Sequence, residues 1–205
     1  MGTKFSTRVW VSVVGIASIF FGSKGYADTV ISVADFGLKP DTRENAVAYV
    51  QKAIEACRGK EPVTLVFPEG RYDFWPQYAH EKNYYETNTY DVFPKRLAML
   101  FEGLHNITVD GNGSQFVMHD RIQPITVENC DGVTLKNFSI DWDIPLTAQA
   151  RVTKGGSDFF EIEINVLESP YIIEDGKLVF VGEGWKSALG SMIEFESDTH
   201  FVVPG

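Results

Sequence analysis

Two blocks of this chain repeat at a fixed interval, and that interval restricts the fold more than any other feature. Glu102-Gly-Leu-His-Asn-Ile-Thr-Val109 aligns with Glu128-Asn-Cys-Asp-Gly-Val-Thr-Leu135. Both read apolar, Glu, four turn residues, apolar, Thr, apolar. The step from Glu102 to Glu128 falls within the range of roughly 20–50 residues that marks solenoid architecture. Each copy is a set of short strands broken by Gly, Asn and Asp, with no helical period. That pattern favours a β-solenoid over helical or leucine-rich repeats. In the second copy Val133, Leu135, Phe138, Ile140 and Trp142 are expected to face inward, and Thr134, Ser139, Asp141 and Asp143 outward.

The segment ahead of the repeat supplies what a solenoid needs at its end. A helix is expected over residues 43–57, N-capped by Asp41 or Thr42. Val47, Val50, Ile54 and Cys57 form one apolar stripe. Gly59 stands where a helix end calls for positive φ. Residues 63–67 are a short apolar run of the buried-strand kind, followed by the turn Phe67-Pro68-Glu69-Gly70 and a second strand. A solenoid exposes unpaired edges and an open core at its end, and an amphipathic helix can plug it. This order matches the opening of right-handed parallel β-helices that act on carbohydrate. An ordinary αβ unit satisfies the same periodicity.

Residues 72–93 carry eight aromatics: Tyr72, Phe74, Trp75, Tyr78, Tyr84, Tyr85, Tyr90 and Phe93. Long loops are often functional. Sugar rings stack their C–H faces on aromatic rings, so this stretch can line a glycan site. Packing against the outside of the solenoid is the alternative, given the area such rings bury. After Asp143 the pattern changes. Pro145 breaks it, and residues 146–154 and 159–165 flank Gly155-Gly156-Ser157-Asp158, a hairpin signal. Phe160, Ile162 and Ile164 alternate with polar residues, which reads as a half-buried strand. Residues 177–181 form another. The expected division is residues 1–27 as a leader, 28–143 as cap and first coils, and 144–205 as an inserted, incomplete antiparallel β module.

The leader reads as a secretory signal. Lys4 and Arg8 precede an uncharged apolar run over residues 9–22, and Gly25-Tyr26-Ala27 offers small residues for cleavage after Ala27. The run is shorter than the roughly 20 residues of a membrane span, so no stable span is expected after cleavage. Export to the periplasm or the extracellular space follows. Removing Lys4, Arg8 and Lys24 takes the formal charge from −10 to −13. That acidity disfavours nucleic acid as a partner. Cys57 and Cys130 are the only cysteines. Export permits a bridge between them, but two separate thiols are the simpler reading. Nothing has zinc-ligand spacing, and neither a metal nor another cofactor is expected.

The strings YYETNTYDVFPKRLAMLFEGLHNITVDGNGS (residues 84–114), ITVENCDGVTLKNFSIDWDIPLTAQARV (residues 125–152) and GKLVFVGEGWKS (residues 176–187) closely resemble the bacterial α-1,3-galactosidases of glycoside hydrolase family 110. The resemblance covers nearly all of residues 31–205. It implies an all-β chain with one capping helix: a right-handed, single-stranded parallel β-helix of the pectin-lyase kind with inserted β-barrel modules. It implies exo-acting, metal-independent, inverting removal of terminal α-1,3-linked galactose from glycans such as the blood group B antigen. The family's proposed catalytic aspartates follow the first barrel insertion, so catalytic residues are expected beyond Gly205 and this chain alone is expected to be inactive. A chain that ends within a β module is also expected to be poorly stable and prone to associate.

The residues offer their own candidates. Inverting hydrolysis needs two carboxyls about 6.5–9.5 Å apart. Asp141 and Asp143, at i and i+2 of a strand, share a face at about 6–7 Å; two outward aspartates on a strand are usually a solvated edge. With Trp75 they are the candidate substrate contacts. His119-Asp120-Arg121 is a polar run between the repeats, either a sugar-binding group or a solvated turn. There is no Gly-x-Ser-x-Gly, His-Glu-x-x-His or phosphate-cradling loop. A polygalacturonase- or pectate-lyase-like enzyme and a non-catalytic glycan-binding β-helix remain alternatives, because fold alone does not separate them.

Overall fold

The structure, a computed structural model, describes residues 29–84, 94–190 and 192–203. The leader with its cleavage site, and Tyr85, Tyr90 and Phe93, lie outside the described residues. Among the described residues the regular elements are strands apart from one α-helix and one short 3-10 turn. They run β1 (Thr29–Ser32), α1 (Val47–Cys57), β2 (Val63–Val66), β3 (Arg71–Phe74), β4 (His80–Lys82), β5 (Lys95–Glu102), β6 (His105–Met118), β7 (Gln123–Glu128), β8 (Asp131–Trp142), β9 (Arg151–Gly155), β10 (Phe160–Glu163), β11 (Tyr171–Glu174), β12 (Lys177–Gly182) and β13 (Trp185–Ala188).

Two parallel ladders carry the first half. In the larger one Ile31 pairs with Leu65, Leu65 with Val109 and Val109 with Leu135. In the other, Met99 pairs with Ile125 and Glu102 with Glu128. The repeat is therefore the register itself: the second ladder and the first part of β6–β8 both advance by the interval between the two sequence blocks. An irregularity between Asp110 and Ser114 shortens that advance, so that Ser114 meets Phe138 and Met118 meets Trp142. Gly111 sits in that irregularity, and the facing backbone comes so close that a Cβ there would lie 2.5 Å from the Phe138 Cβ and 2.7 Å from the Asn137 carbonyl oxygen. The preceding advance, from Leu65 to Val109, is longer than the repeat. The additional chain contains most of the aromatic stretch and β4, which pairs antiparallel with β5.

The core lies between the ladders and is closed by α1. Val47, Val50, Ala53, Ile54 and Cys57 are buried, and the helix packs on β5 and β2. Phe67, Tyr72, Phe74 and Phe116 fill the centre, with Phe67 and Phe116 centroids 4.7 Å apart and Phe138 stacked on Phe116 at 4.8 Å. Each such ring contributes about 1.5–3 kcal/mol by burial. Within the described residues no helix is long and apolar enough to cross a membrane.

Five expectations need correction. The helix starts at Val47, not at residue 43, because residues 41–46 run alongside β3. Asp41 takes a left-handed φ of 61° and exchanges bonds with the Arg71 backbone, and Ala46 N donates to Asp73 O at 2.8 Å. The first helical amide is capped by Asn45, whose Oδ1 accepts from Val47 N at 3.1 Å, while Thr42 caps only Glu44. Gly59 does take positive φ, at 74°. Val133, Phe138 and Trp142 pack on the core as expected, but Leu135 and Ile140 are exposed, because β8 is covered on one side only among the described residues. Asp141 ends up inside β8, whereas Asp143 falls just past its end. The hairpin β9–β10 forms as expected, yet Phe160 is exposed, since this two-stranded sheet carries no third strand among the described residues. Strands β11–β13 make a separate antiparallel sheet. Both cysteines are free; the Cys57 Sγ donates to Ala53 O, and burial pushes its thiol up to about 11.

Candidate functional site

The ladder ends create the site. Phe74, Met118 and Trp142 pair across β3, β6 and β8, so the residues that follow them, Trp75, His119 and Asp143, form the next column. His119 N donates to Phe74 O at 2.9 Å and Asp143 N to Met118 O at 3.0 Å, which fixes the column through the backbone. The Trp75 and His119 rings stack at 3.8 Å with 11° between planes. Two of the three sequence candidates thus flank His119 in one column, and His119 is only 3 % exposed rather than part of a solvated turn.

His119 is clamped at both ring nitrogens. Nε2 lies 2.9 Å from Asp73 Oδ1 and Nδ1 lies 2.7 Å from Glu183 Oε2. Carboxylates only accept, so both contacts are made together when both nitrogens carry protons. Asp73 is fully buried and receives Arg71 Nε at 3.0 Å and Nη2 at 2.6 Å. Burial alone would push this carboxyl up, but the Arg71 and His119 hydrogen bonds outweigh it and hold the acid below the usual aspartate range. The same bonds raise Arg71 above its ordinary value. Arg71 Nη2 also donates to Asp143 at 2.8 Å, and Arg43 approaches Asp143 at 3.8 Å. Three carboxylates therefore surround the Arg71 guanidinium and the His119 ring.

His119, Asp143 and Glu183 present ligand atoms within 4.8 Å of one another. Asp143 is already paired with Arg71 and Glu183 with His119, and a metal ion there would sit beside a guanidinium. We assign none to it. Asp143 is held by an arginine, and Asp141 is exposed with its Oδ1 accepting from Trp142 N at 2.8 Å. The two aspartates do not share a partner.

Beside the column lies an open groove of about 450 Å³ lined by Trp75, Gln77, Tyr78, Glu81, Arg96 and Asp120, among others. Its floor is pinned from the helix side. Asn45 Nδ2 donates to Trp75 O and Gln77 O, and Gln51 Nε2 donates to Tyr78 O at 2.9 Å. On the far side, the turn between β12 and β13 closes on the ladder. Glu183 binds His119, and a Cβ on Gly184 would lie 2.4 Å from Asp120 Oδ2.

A second cluster follows from the repeat. Glu102 and Glu128 are register partners, and Lys82 Nζ bridges them at 2.7 and 2.8 Å. The Tyr84 hydroxyl also donates to Glu128. These bonds hold the Glu128 acid below its ordinary value, with Lys82 the main cause. Of the aromatic stretch, Tyr72 and Phe74 pack the core, Trp75 and Tyr78 line the groove, and Tyr84 belongs to this cluster.

Sequence reasoning missed Arg71, Asp73 and Glu183. A charged residue between two buried aromatics in Arg71-Tyr72-Asp73-Phe74 was the available signal for Asp73; Glu183 carried none.

Comparison with known proteins decides the relationship. Residues 148–205 match a family model described as GLAA-B beta-barrel domain I. The chain is 60% identical over 178 residues to alpha-1,3-galactosidase B of Bacteroides thetaiotaomicron, an alignment covering 87% of this chain and 29% of that protein. The chain is an α-1,3-galactosidase homologue. It is 36% identical over 199 residues to alpha-1,3-galactosidase B of Phocaeicola vulgatus, covering 95% of this chain and 31% of the relative. It is 35% identical over 169 residues to alpha-1,3-galactosidase A of Shewanella woodyi, covering 82% and 28%. The chain therefore spans about three-tenths of the length of the curated relatives it matches.

Proposed function

We propose that this chain is the N-terminal part of an exported, exo-acting glycoside hydrolase that removes terminal α-1,3-linked galactose from glycans with inversion. The observation that carries this reading is the 60% identity to an alpha-1,3-galactosidase B over 178 residues. In this reading the two ladders are the first coils of a right-handed parallel β-helix of the pectin-lyase kind, capped by α1. Residues 144–205 are a β-barrel module inserted into it, which accords with the family match. The catalytic carboxylates are supplied by polypeptide beyond Gly205. Trp75, Asp141 and Asp143 serve as substrate contacts at the ladder end, with Asp143 set in place by Arg71.

This division of labour follows from the chemistry. Inversion requires an acid and a base with a water between them. Here Asp143 is committed to a guanidinium and Asp141 to a backbone amide. The geometry suits holding a glycan rather than breaking it. The test is proton NMR of galactose released from a Galα1-3Gal glycan by the protein of the whole reading frame. β-Galactose appearing first supports inversion; α-galactose first, or no release, contradicts the proposal.

A further inference from the structure

The groove beside Trp75 has the build of a second saccharide site. Tyr78 holds a left-handed backbone, φ 68°, a conformation bulky L-residues seldom adopt. The residue is nevertheless 63 % exposed, so the strain does not serve the core. What keeps it there is explicit: Gln51 clasps the Tyr78 carbonyl and Asn45 the carbonyls of Trp75 and Gln77. Persistent strain held by surrounding bonds is a pointer to a functional surface. Opposite, the Asp120 carboxylate makes no hydrogen bond or ion pair among the described residues, and neither does the Gln77 amide. An aromatic ring, an acceptor-only carboxylate and an amide that both donates and accepts complement a pyranose, with its C–H face and its rim of hydroxyls. The groove volume, about 450 Å³, lies within the range of small-molecule sites.

The charges restrict the ligand further. Arg96 is paired with Glu81 at 3.4 Å, which leaves Asp120 as the uncompensated charge of the groove. A sialylated, sulfated or uronic unit meets that charge unpaired. We propose that this groove binds a neutral hexose unit of the glycan other than the galactose that is cleaved. Tyr78 is the stacking platform and Asp120 and Gln77 the hydroxyl partners. This rests on the glycan-hydrolase reading for its choice of ligand, but its test does not.

The test is saturation-transfer NMR and calorimetry of the 205-residue chain with N-acetyllactosamine, which has no α-galactose to cleave. Binding with a Kd on the order of 1 mM is expected. Tyr78→Ala and Asp120→Asn should each weaken it at least tenfold, and 3′-sialyl-N-acetyllactosamine should bind at least tenfold more weakly. Circular dichroism melts establish that the variants remain folded; Gln77→Ala, with at least a threefold loss expected, replaces any that do not. No binding of the neutral disaccharide at 20 mM, unchanged binding in the folded variants, or equal binding of the sialylated sugar overturns the proposal. Because the probe lacks the scissile galactose, any of these results leaves the hydrolysis test untouched.

Discussion

Replacing Asp73 by alanine removes the anion on which the ladder end is assembled. In the wild type its buried carboxylate accepts from Arg71 at 2.6 and 3.0 Å and from His119 at 2.9 Å. Without it Arg71 keeps Asp143 and His119 keeps Glu183, but the half-buried guanidinium loses its main partner and faces an emptied site. Removing one partner of a buried ion pair costs about 3–5 kcal/mol. At about 2–4 °C per kcal/mol for a chain of this size, the melting temperature should fall by roughly 6–20 °C. Asp73→Asn keeps the shape and loses the charge, so its loss should be smaller, about 1–3 kcal/mol. The assay is thermal and urea unfolding followed by circular dichroism. A pH series adds the sign. The native Asp73 acid lies below its ordinary value, so its contribution is complete above the unfolded value of about 4 and is lost as pH falls through the native value. The wild type should lose its advantage over Asp73→Ala in that acid window. A difference below about 1 kcal/mol at neutral pH, or an advantage unchanged by acid, refutes the reasoning.

Gly111→Ala should destabilise by about 1–3 kcal/mol in the same urea assay, because its Cβ would meet the Asn137 carbonyl oxygen at 2.7 Å and backbone cannot yield cheaply. Cys57 should resist iodoacetamide at pH 8 in the folded chain and react once urea unfolds it. Its thiol is buried and titrates near 11, and peptide mass mapping reads the outcome.

The ladder register was legible because it is written locally: Glu102 and Glu128, which open the two copies of the repeat, are partners in the structure. The end of α1 was legible for the same reason, through Cys57 and Gly59. Its start was not, because Asp41 is claimed by the backbone of Arg71, far along the chain. Periodicity also tells which face a side chain takes but not what covers that face, hence the exposure of Leu135 and Ile140. The site was half legible. Trp75 stood out in an aromatic stretch and Asp143 as one of two carboxylates two residues apart. The residue between them in the column, His119, gains its meaning from Asp73 and Glu183, 46 and 64 residues away. The ladder register brings His119 to Asp73, and the β12–β13 turn brings Glu183 to them.

The central claim is that this chain contributes the glycan-holding ladder end of an α-1,3-galactosidase and not its catalytic carboxylates. Galactose release from a Galα1-3Gal glycan, measured side by side for the 205-residue chain and the protein of the whole reading frame, tests it most directly. The account predicts turnover by the whole protein and none above background by the chain. Turnover by the chain alone would contradict it and make Asp141 and Asp143 the first residues to replace.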